Sequence, residues 1–273
     1  MQFNCSIKAY ADDLKVIGEP GTVLQSDLDT IDTWSIANSL YINTDKCETI
    51  HFGPKNPNVN YNLKSFGGSI VSVRSYRDLG LLVDDDLSFR SHLNSTITKA
   101  NRLIGCCFRL LHTRSPSLYL QFYKFIILPI IDYCSIFYVS TSKSSSSNIE
   151  KIQKRFTKKL YSRAFPNEPV PNYDMRLIRF ELPELSNRFM ITDLVTLFKI
   201  NSRLLNFSSF QVRFSDRMPH RIILSHVRTA LFKKSFFYRS LTTWNKRVRS
   251  LPLSLPLLLK QIHCHPLSQS NFS

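Results

Sequence analysis

The sequence has few of the residues from which compact metal-binding and nucleotide-binding motifs are built. Its six cysteines include no C-x-x-C pair, and its seven glycines form no glycine-rich phosphate loop. The irregular cysteine spacing argues against a zinc ribbon and against a disulfide framework. No basic segment followed by an apolar one opens the sequence, so we predict an intracellular location, in cytoplasm or nucleus, without a secretory signal.

Long uncharged hydrophobic runs are also scarce. The most apolar stretch, residues 122–139, has the approximate length of a membrane span but contains Lys124, Pro129 and Asp132. Charges inside a membrane are costly, so we interpret this stretch as a buried helix and predict no membrane partner, with a membrane span as the alternative.

Positive charge is abundant, but one part of the chain carries nearly all of it. Residues 1–90 have 8 Lys and Arg against 12 Asp and Glu, whereas residues 91–273 have 28 against 8. A basic field of this size attracts polyanions, of which nucleic acid and anionic membrane surfaces are the usual examples. The second part therefore predicts a nucleic-acid partner, with a solvated basic surface that binds nothing as the alternative.

The periodicity of apolar residues predicts an α+β protein. Strand patterns with turn signals predict one hairpin within residues 7–17 and a second whose strands, residues 61–66 and 69–82, meet at a tight turn at Gly67-Gly68. Residues 22–40 have the spacing of an amphipathic helix with an acidic outer face. Beyond Asp84, apolar residues recur every three or four positions, which predicts long helices, the first of which begins near Ser88.

One predicted helix, which follows a polar loop at the serine run 144–147, has a strongly basic face. Five of its cations are the predicted nucleic-acid-binding residues: Lys151, Lys154, Arg155, Lys158 and Lys159. The same pattern also fits a solvated surface. Further aromatic residues are interleaved with the basic residues of 213–249, and they fit core packing better than base stacking.

The stretch Tyr10-Ala11-Asp12-Asp13 lies between two strand patterns. A tight turn between paired strands can hold an aspartate in a fixed direction, and nucleotidyl transfer needs carboxylates that converge on two Mg²⁺ ions. Aspartate is also favoured in turns for purely local reasons, so these four residues alone favour a simple hairpin turn.

The segments that follow this turn carry a more specific pattern. In order along the chain they include YADD, LYINTDKCETIHFG, YRDLGLLVDDDLSFRSHL, KANRLIGCCFRLLH, LYLQFYKFIILPIIDYCSIFYV, IEKIQKRFTKKL and LPELSNRFMITDLVTLFKI. Together they resemble the reverse transcriptases of non-LTR, LINE-type retrotransposons, particularly jockey-like elements, over almost the whole chain. The resemblance implies a partial polymerase palm of β-hairpins plus a helix in residues 1–86. It further implies a helical thumb-like region in residues 87–165 and a basic connection-like region in residues 166–273.

The resemblance also implies roles for individual residues. Asp12 and Asp13 would form the metal site, and Lys46 would help to protonate the departing pyrophosphate, so these three are the predicted catalytic residues. The predicted primer- and nucleotide-binding residues are Tyr10, Ala11, Asn43, Leu79 and Gly80. The implied partners are an RNA template, a DNA primer and, in the intact enzyme, deoxynucleoside triphosphates. Mg²⁺ or Mn²⁺ would be the cofactor of a completed site.

The sequence departs from the family before the turn. The family places a third metal-binding carboxylate on an earlier strand, and finger segments that hold template and nucleotide precede that strand. In this sequence, no Asp or Glu precedes Asp12. Two aspartates alone leave two Mg²⁺ ions under-liganded. We therefore expect a fragment of an RNA-directed DNA polymerase that is inactive by itself, with a non-catalytic nucleic-acid-binding protein as the alternative.

Overall fold

The chain divides into two compact units, unit 1 (Met1–Ser91) and unit 2 (His92–Ser273). The structure is a computed structural model that describes residues 3–65, 67–138, 143–205, 212–224, 226–227, 229–248 and 254–263. The three-part division into palm, thumb and connection stays a prediction. The cluster His263-Cys264-His265, which has no paired metal-ligand spacing, extends outside the described residues.

Unit 1 combines short strands with one long helix. Its elements are β1 (Ser6–Tyr10), β2 (Asp13–Ile17), α1 (Thr22–Ala37), a 3-10 helix (Thr44–Lys46), β3 (Glu48–Ile50), β4 (Asn62–Leu63), β5 (Gly68–Ser69), β6 (Val71–Val73), β7 (Ser75–Asp78) and β8 (Leu81–Asp84). The pairs β1–β2, β4–β5 and β7–β8 are antiparallel, whereas β3–β6 is parallel. The predicted hairpin within residues 7–17 is present. Of the second predicted hairpin, only the short β4–β5 pair beside Gly67-Gly68 is present, because residues 69–82 form parts of four strands instead of one and include a further turn between β7 and β8.

The polar side of α1 differs from the prediction of an acidic outer face. Asp27 and Asp32 are buried. Asp27 accepts hydrogen bonds from the backbone N–H groups of Asn4 and Cys5 at 3.0 and 2.7 Å, and the bond from Cys5 contributes most to lowering the pKa of this carboxyl. Asp32 accepts a hydrogen bond from the backbone N–H of Ser65 at 2.8 Å. These buried carboxylates satisfy backbone donors that would otherwise lack partners, so apolar spacing alone misassigned them.

Unit 2 is helical. Its elements are α2 (Arg90–Leu110, which begins in the last two residues of unit 1), α3 (Pro116–Phe122), a π-helical turn (Tyr123–Ile127), α4 (Leu128–Asp132), α5 (Ser135–Tyr138), α6 (Lys143–Ala164), α7 (Tyr173–Phe180), α8 (Leu185–Asn201), α9 (Ala230–Lys234), α10 (Phe236–Arg247) and α11 (Leu255–His263). The predicted loop at residues 144–147 is wrong, because α6 already begins at Lys143. Serine is only moderately unfavourable in helices, and a long following helix can propagate through such residues.

The predicted helix through the apolar stretch 122–139 is present as far as Asp132, because α3, the π-helical turn and α4 follow one another without a break; Tyr133 and Cys134 then separate α4 from α5. A π-helical turn ends at Ile127, two residues before Pro129, where a kink was predicted. Tyr123, Ile127 and Ile131 are fully buried. Among the described residues, no helix combines the length and the apolar character that a membrane crossing requires.

An aromatic stack forms the first part of the core of unit 2. The ring centroids of Phe108 and Tyr119 are 4.7 Å apart, and those of Tyr123 and Phe156 are 4.3 Å apart. Phe108 and Phe156 join the two pairs at 5.8 Å. Offset and tilted rings at these distances attract one another beyond the effect of burial alone.

A second cluster of buried side chains joins α8 to α10 and α11. Phe236 and Trp244 belong to it, and Phe214 and Phe237 pack against it, which confirms core packing for these rings. Phe232, in contrast, is exposed.

Candidate active site and nucleic-acid interface

The predicted catalytic turn is the two-residue loop of the β1–β2 hairpin. Tyr10 and Asp13 form the last antiparallel pair, which leaves Ala11 and Asp12 as the loop. Ala11 has a φ of 51°. Such a conformation costs a non-glycine residue about 1–2 kcal/mol, and hairpin turns of this length usually place glycine there. The hairpin therefore holds Asp12 at its tip on a strained backbone, a feature that is frequent at functional sites.

The hairpin exposes its predicted site residues to solvent. Tyr10 is 65% exposed, and Asp12 and Asp13 are both exposed. The β1–β2 pairing fixes the direction of the loop, while the carboxylates remain accessible to a cation or a ligand. The arrangement combines a fixed backbone with accessible oxygen atoms.

A salt bridge joins this hairpin to the β7–β8 hairpin within unit 1. Lys15 of β2 donates to Asp78 of β7, and both side chains are partly buried. Tyr76 lies in the same cluster, where burial raises its pKa most, the charges of Asp78, Asp13 and Glu48 raise it further, and the charge of Lys15 lowers it. The carboxylate of Asp13 is thus within electrostatic reach of β7.

Replacing Lys15 with alanine should weaken the contact between the two hairpins. We expect the free energy of unfolding of unit 1 to fall by about 0.5–1 kcal/mol, as for other partly exposed ion pairs. The pKa of Tyr76 should rise further, because the positive charge that lowers it is lost. Thermal unfolding and NMR titration of labelled tyrosine measure the two effects.

Lys8→Ala is the matched control for that substitution. Lys8 pairs directly with Lys15 across the hairpin and is exposed. Like charges that lie directly opposite each other repel, so removal of the charge of Lys8 should not destabilise the hairpin. Equal losses of stability from Lys8→Ala and Lys15→Ala would contradict the assigned role of the salt bridge.

The β7–β8 hairpin contains the turn that the family resemblance associates with primer handling. Asp78 and Leu81 form its last pair, so Leu79 and Gly80 are the loop. Their φ angles are 45° and 93°, and positive values at both loop residues are characteristic of a type I′ turn. The Leu79 side chain is 46% exposed. A contact of these residues with a primer stays a prediction.

Asn43 and Lys46 lie on a separate element, the 3-10 helix before β3. The side chain of Asn43 caps this helix by accepting a hydrogen bond from the backbone N–H of Asp45 at 3.2 Å. Lys46 is the exposed last residue of the helix. Within the described part of unit 1, no hydrogen bond or ion pair links Asn43 or Lys46 to the β1–β2 hairpin.

The residues of the catalytic turn match part of a divalent-cation site. Carboxylate oxygens are suitable ligands for Mg²⁺ and Mn²⁺, and Asp12 and Asp13 supply two carboxylates. No group of three or more His, Cys, Asp or Glu side chains placed to hold a metal occurs among the residues that the structure describes. The two aspartates therefore do not complete a two-metal site by themselves.

The nearby acidic cluster at residues 84–86 has a structural role at the start of α2. Asp84 accepts hydrogen bonds from the backbone N–H of Ser91 at 3.2 Å and from the Ser88 hydroxyl at 3.1 Å. Burial raises the pKa of Asp84, but these hydrogen bonds outweigh burial and keep its pKa below the usual value. Asp86 pairs with Arg90 at 2.7 Å. Helix capping thus accounts for this cluster.

The five predicted nucleic-acid-binding cations of α6 are all exposed, but they differ in their contacts. Three of them contact uncharged neighbours on the protein: Lys151 donates to Asn148, Lys154 lies over the ring of Tyr173, and Arg155 donates to Asn101. Lys158 and Lys159 line a cavity, where Lys159 also lies over the ring of Phe108. The basic face is therefore divided into two parts.

Two further cations line that cavity: Arg163 lies on the predicted basic face of α6, whereas Arg114 was not predicted as a binding residue. Arg114 lies on the connection between α2 and α3, far from α6 in sequence. The available sequence signal was weak, a single arginine in the connection that follows a long helix. Periodicity within one helix cannot reveal a neighbour that belongs to another element.

Comparison with known proteins yields two relatives. Over 171 residues, 56% of this chain, the sequence is 29% identical to the RNA-directed DNA polymerase from mobile element jockey of Drosophila funebris. Over 137 residues, 49% of the chain, it is 28% identical to an uncharacterized protein of Caenorhabditis elegans. The matches span 18% and 66% of these relatives' own lengths.

No family model and no solved structure matches the chain. The similarity to the Drosophila polymerase is modest in identity but covers 171 aligned residues. The chain is therefore similar, over about half of its length, to the RNA-directed DNA polymerase of a jockey element, which supports a distant relationship to the reverse transcriptases of non-LTR retrotransposons.

Proposed function

We propose that the chain corresponds to a segment of an RNA-directed DNA polymerase of a non-LTR retrotransposon. The observation that carries this proposal is the β1–β2 hairpin, which holds Asp12 at the tip of a strained two-residue loop beside Asp13. Hairpins with glycine at the strained position are the simpler solution for a purely structural turn. The similarity to the Drosophila polymerase supports the same function.

In the intact enzyme, Mg²⁺ or Mn²⁺ would activate the 3′-hydroxyl of the primer and stabilise the leaving pyrophosphate oxygens. Asp12 and Asp13 would supply two of the carboxylate ligands of this metal site. The remaining predicted site residues would contact the primer end, the RNA template or the nucleotide: Tyr10, Ala11, Asn43, Lys46, Leu79 and Gly80. The Lys15–Asp78 salt bridge would keep the hairpin of Leu79 and Gly80 beside the catalytic turn.

The 273-residue chain should not catalyse synthesis by itself. Its turn supplies two carboxylates, and a two-metal site needs more ligands than these. Binding of nucleic acid would depend instead on the exposed cations of α6 and does not require a third carboxylate. This difference also favours the second candidate function, a nucleic-acid-binding protein without catalytic activity.

Primer extension on an RNA template, with Mg²⁺ or Mn²⁺, tests this proposal. We expect the purified chain and its Asp12→Ala variant to bind primer–template equally well and to synthesise no DNA. DNA synthesis by the purified chain that is lost in Asp12→Ala would support the polymerase function but would disprove the claim that the metal site is incomplete. Failure of both proteins to bind primer–template at low salt would overturn the proposal, because electrostatic binding should be strongest there.

A further inference from the structure

We propose that a basic cavity in unit 2 binds the sugar–phosphate backbone of duplex nucleic acid without reading its base sequence. The cavity has a volume of about 600 Å³ and lies between the end of α2, the α2–α3 connection and the second half of α6. Four cations line it: Arg114, Lys158, Lys159 and Arg163. This inference rests on the proposed function for the identity of the polyanion, and it adds the residues that contact it.

The charge of the cavity is not neutralised by the protein. No Asp or Glu is among the residues that line it. Within the described residues, none of its four cations forms an ion pair with a carboxylate. Cations that share one concave surface repel one another, and a ligand with several negative charges relieves that repulsion. The cavity is therefore suited to successive phosphates rather than to a neutral molecule.

The wall of the cavity is held in place by the aromatic stack beneath it. Arg163 donates to the carbonyl oxygen of Phe108 at 3.2 Å, and the ammonium of Lys159 lies 5.8 Å from the centre of the Phe108 ring. The hydroxyl of Tyr119 donates to the carbonyl oxygens of Leu111 and Thr113 at 2.6 and 3.2 Å. These bonds fix the α2–α3 connection, which carries Arg114, so the site is formed before a ligand binds.

The same wall offers phosphate ligands more than it offers surfaces for bases. The ring of Phe108 already stacks on Tyr119 at an interplanar angle of 21° and also lies under the ammonium of Lys159. The imidazole of His112 is positioned by a contact between Nδ1 and the carbonyl oxygen of Leu110 at 3.2 Å. Contacts to phosphates position a protein on nucleic acid without conveying sequence.

Salt-dependent binding of short DNA duplexes to the full chain tests the site. The double substitution Lys158→Gln/Lys159→Gln removes two proposed phosphate contacts. Log affinity falls with log salt concentration, and each such contact contributes about 0.9 to the steepness of that fall. The steepness should therefore decrease by about 1.8. The decrease should be the same for duplexes of unrelated sequence.

The matched control is Lys99→Gln/Lys124→Gln, which removes the same charge from exposed positions outside the cavity. We expect this control to keep the wild-type slope. An equal decrease in both double variants would overturn the site, because net charge alone would then explain binding. An unchanged slope in the cavity variant, or a decrease for one sequence only, would also overturn it.

Two further measurements distinguish duplex nucleic acid from other anionic ligands and test the cavity independently of the proposed function. Displacement of the duplex by inorganic phosphate at matched ionic strength, or a cavity variant impaired only in binding to phosphatidylserine vesicles, would overturn the inference. Asp12→Ala should leave the salt slope unchanged. The site would therefore be supported by its slope even if the polymerase proposal failed in an extension assay, and it could fail while that proposal held.

Discussion

Replacement of Phe156 with alanine should lower the free energy of unfolding of unit 2 by about 3–5 kcal/mol. Phe156 is fully buried in α6, and its ring stacks on Tyr123 and tilts against Phe108. The substitution would leave a void in the stack and remove both ring contacts, which contribute about 0.5–1.5 kcal/mol each beyond burial. Urea unfolding in a Trp34→Phe background measures the loss, since fluorescence then reports on Trp244 in unit 2.

Phe125→Ala is the matched control, because Phe125 lies in the same unit and is 77% exposed. We expect this control to change the free energy of unfolding by less than about 0.5 kcal/mol. A loss from Phe125→Ala as large as that from Phe156→Ala would contradict the assigned core. Such a result would also remove the support that the stack gives to the basic cavity, since Phe108 belongs to both.

The β7–β8 hairpin was not predictable from local pattern, which indicated one strand over residues 69–82; only the family resemblance identified Leu79-Gly80 as a turn. The β1–β2 hairpin was predictable, because strand patterns flank the two aspartates of Tyr10-Ala11-Asp12-Asp13, a residue type that is favoured in turns. The long helices α2 and α6 were predictable for a similar reason, because their apolar residues recur every three or four positions.

Contacts between distant segments were not predictable from local pattern. The burial of Asp27 depends on the backbone of Asn4 and Cys5, and the partner of Lys15 is Asp78, 63 residues away. The parallel pairing of β3 with β6 likewise joins segments whose sequences do not specify one another. For the basic cavity, the sequence revealed the cations of α6 but not their neighbour Arg114 on another element.

The Asp12→Asn substitution should have the largest effect on catalysis. It is made in a chimera that joins this chain to the remaining segments of the Drosophila funebris polymerase, which would complete the proposed metal site. Asparagine retains the size and turn preference of aspartate but removes its charge. Charge stabilisation at a metal site is worth several kcal/mol, so the rate of primer extension should fall by about 10²–10³-fold or more.

Primer extension by this chimera on an RNA template is the most direct test of the proposed function. Asp85→Asn is the control, because it makes the same chemical change in the acidic cluster before α2. We expect the chimera to synthesise DNA, Asp12→Asn to slow synthesis by at least about 10²-fold, and Asp85→Asn to retain the rate of the unsubstituted chimera. Synthesis that keeps its rate in Asp12→Asn, or a folded chimera that binds primer–template without extending it, would contradict a catalytic role for the turn.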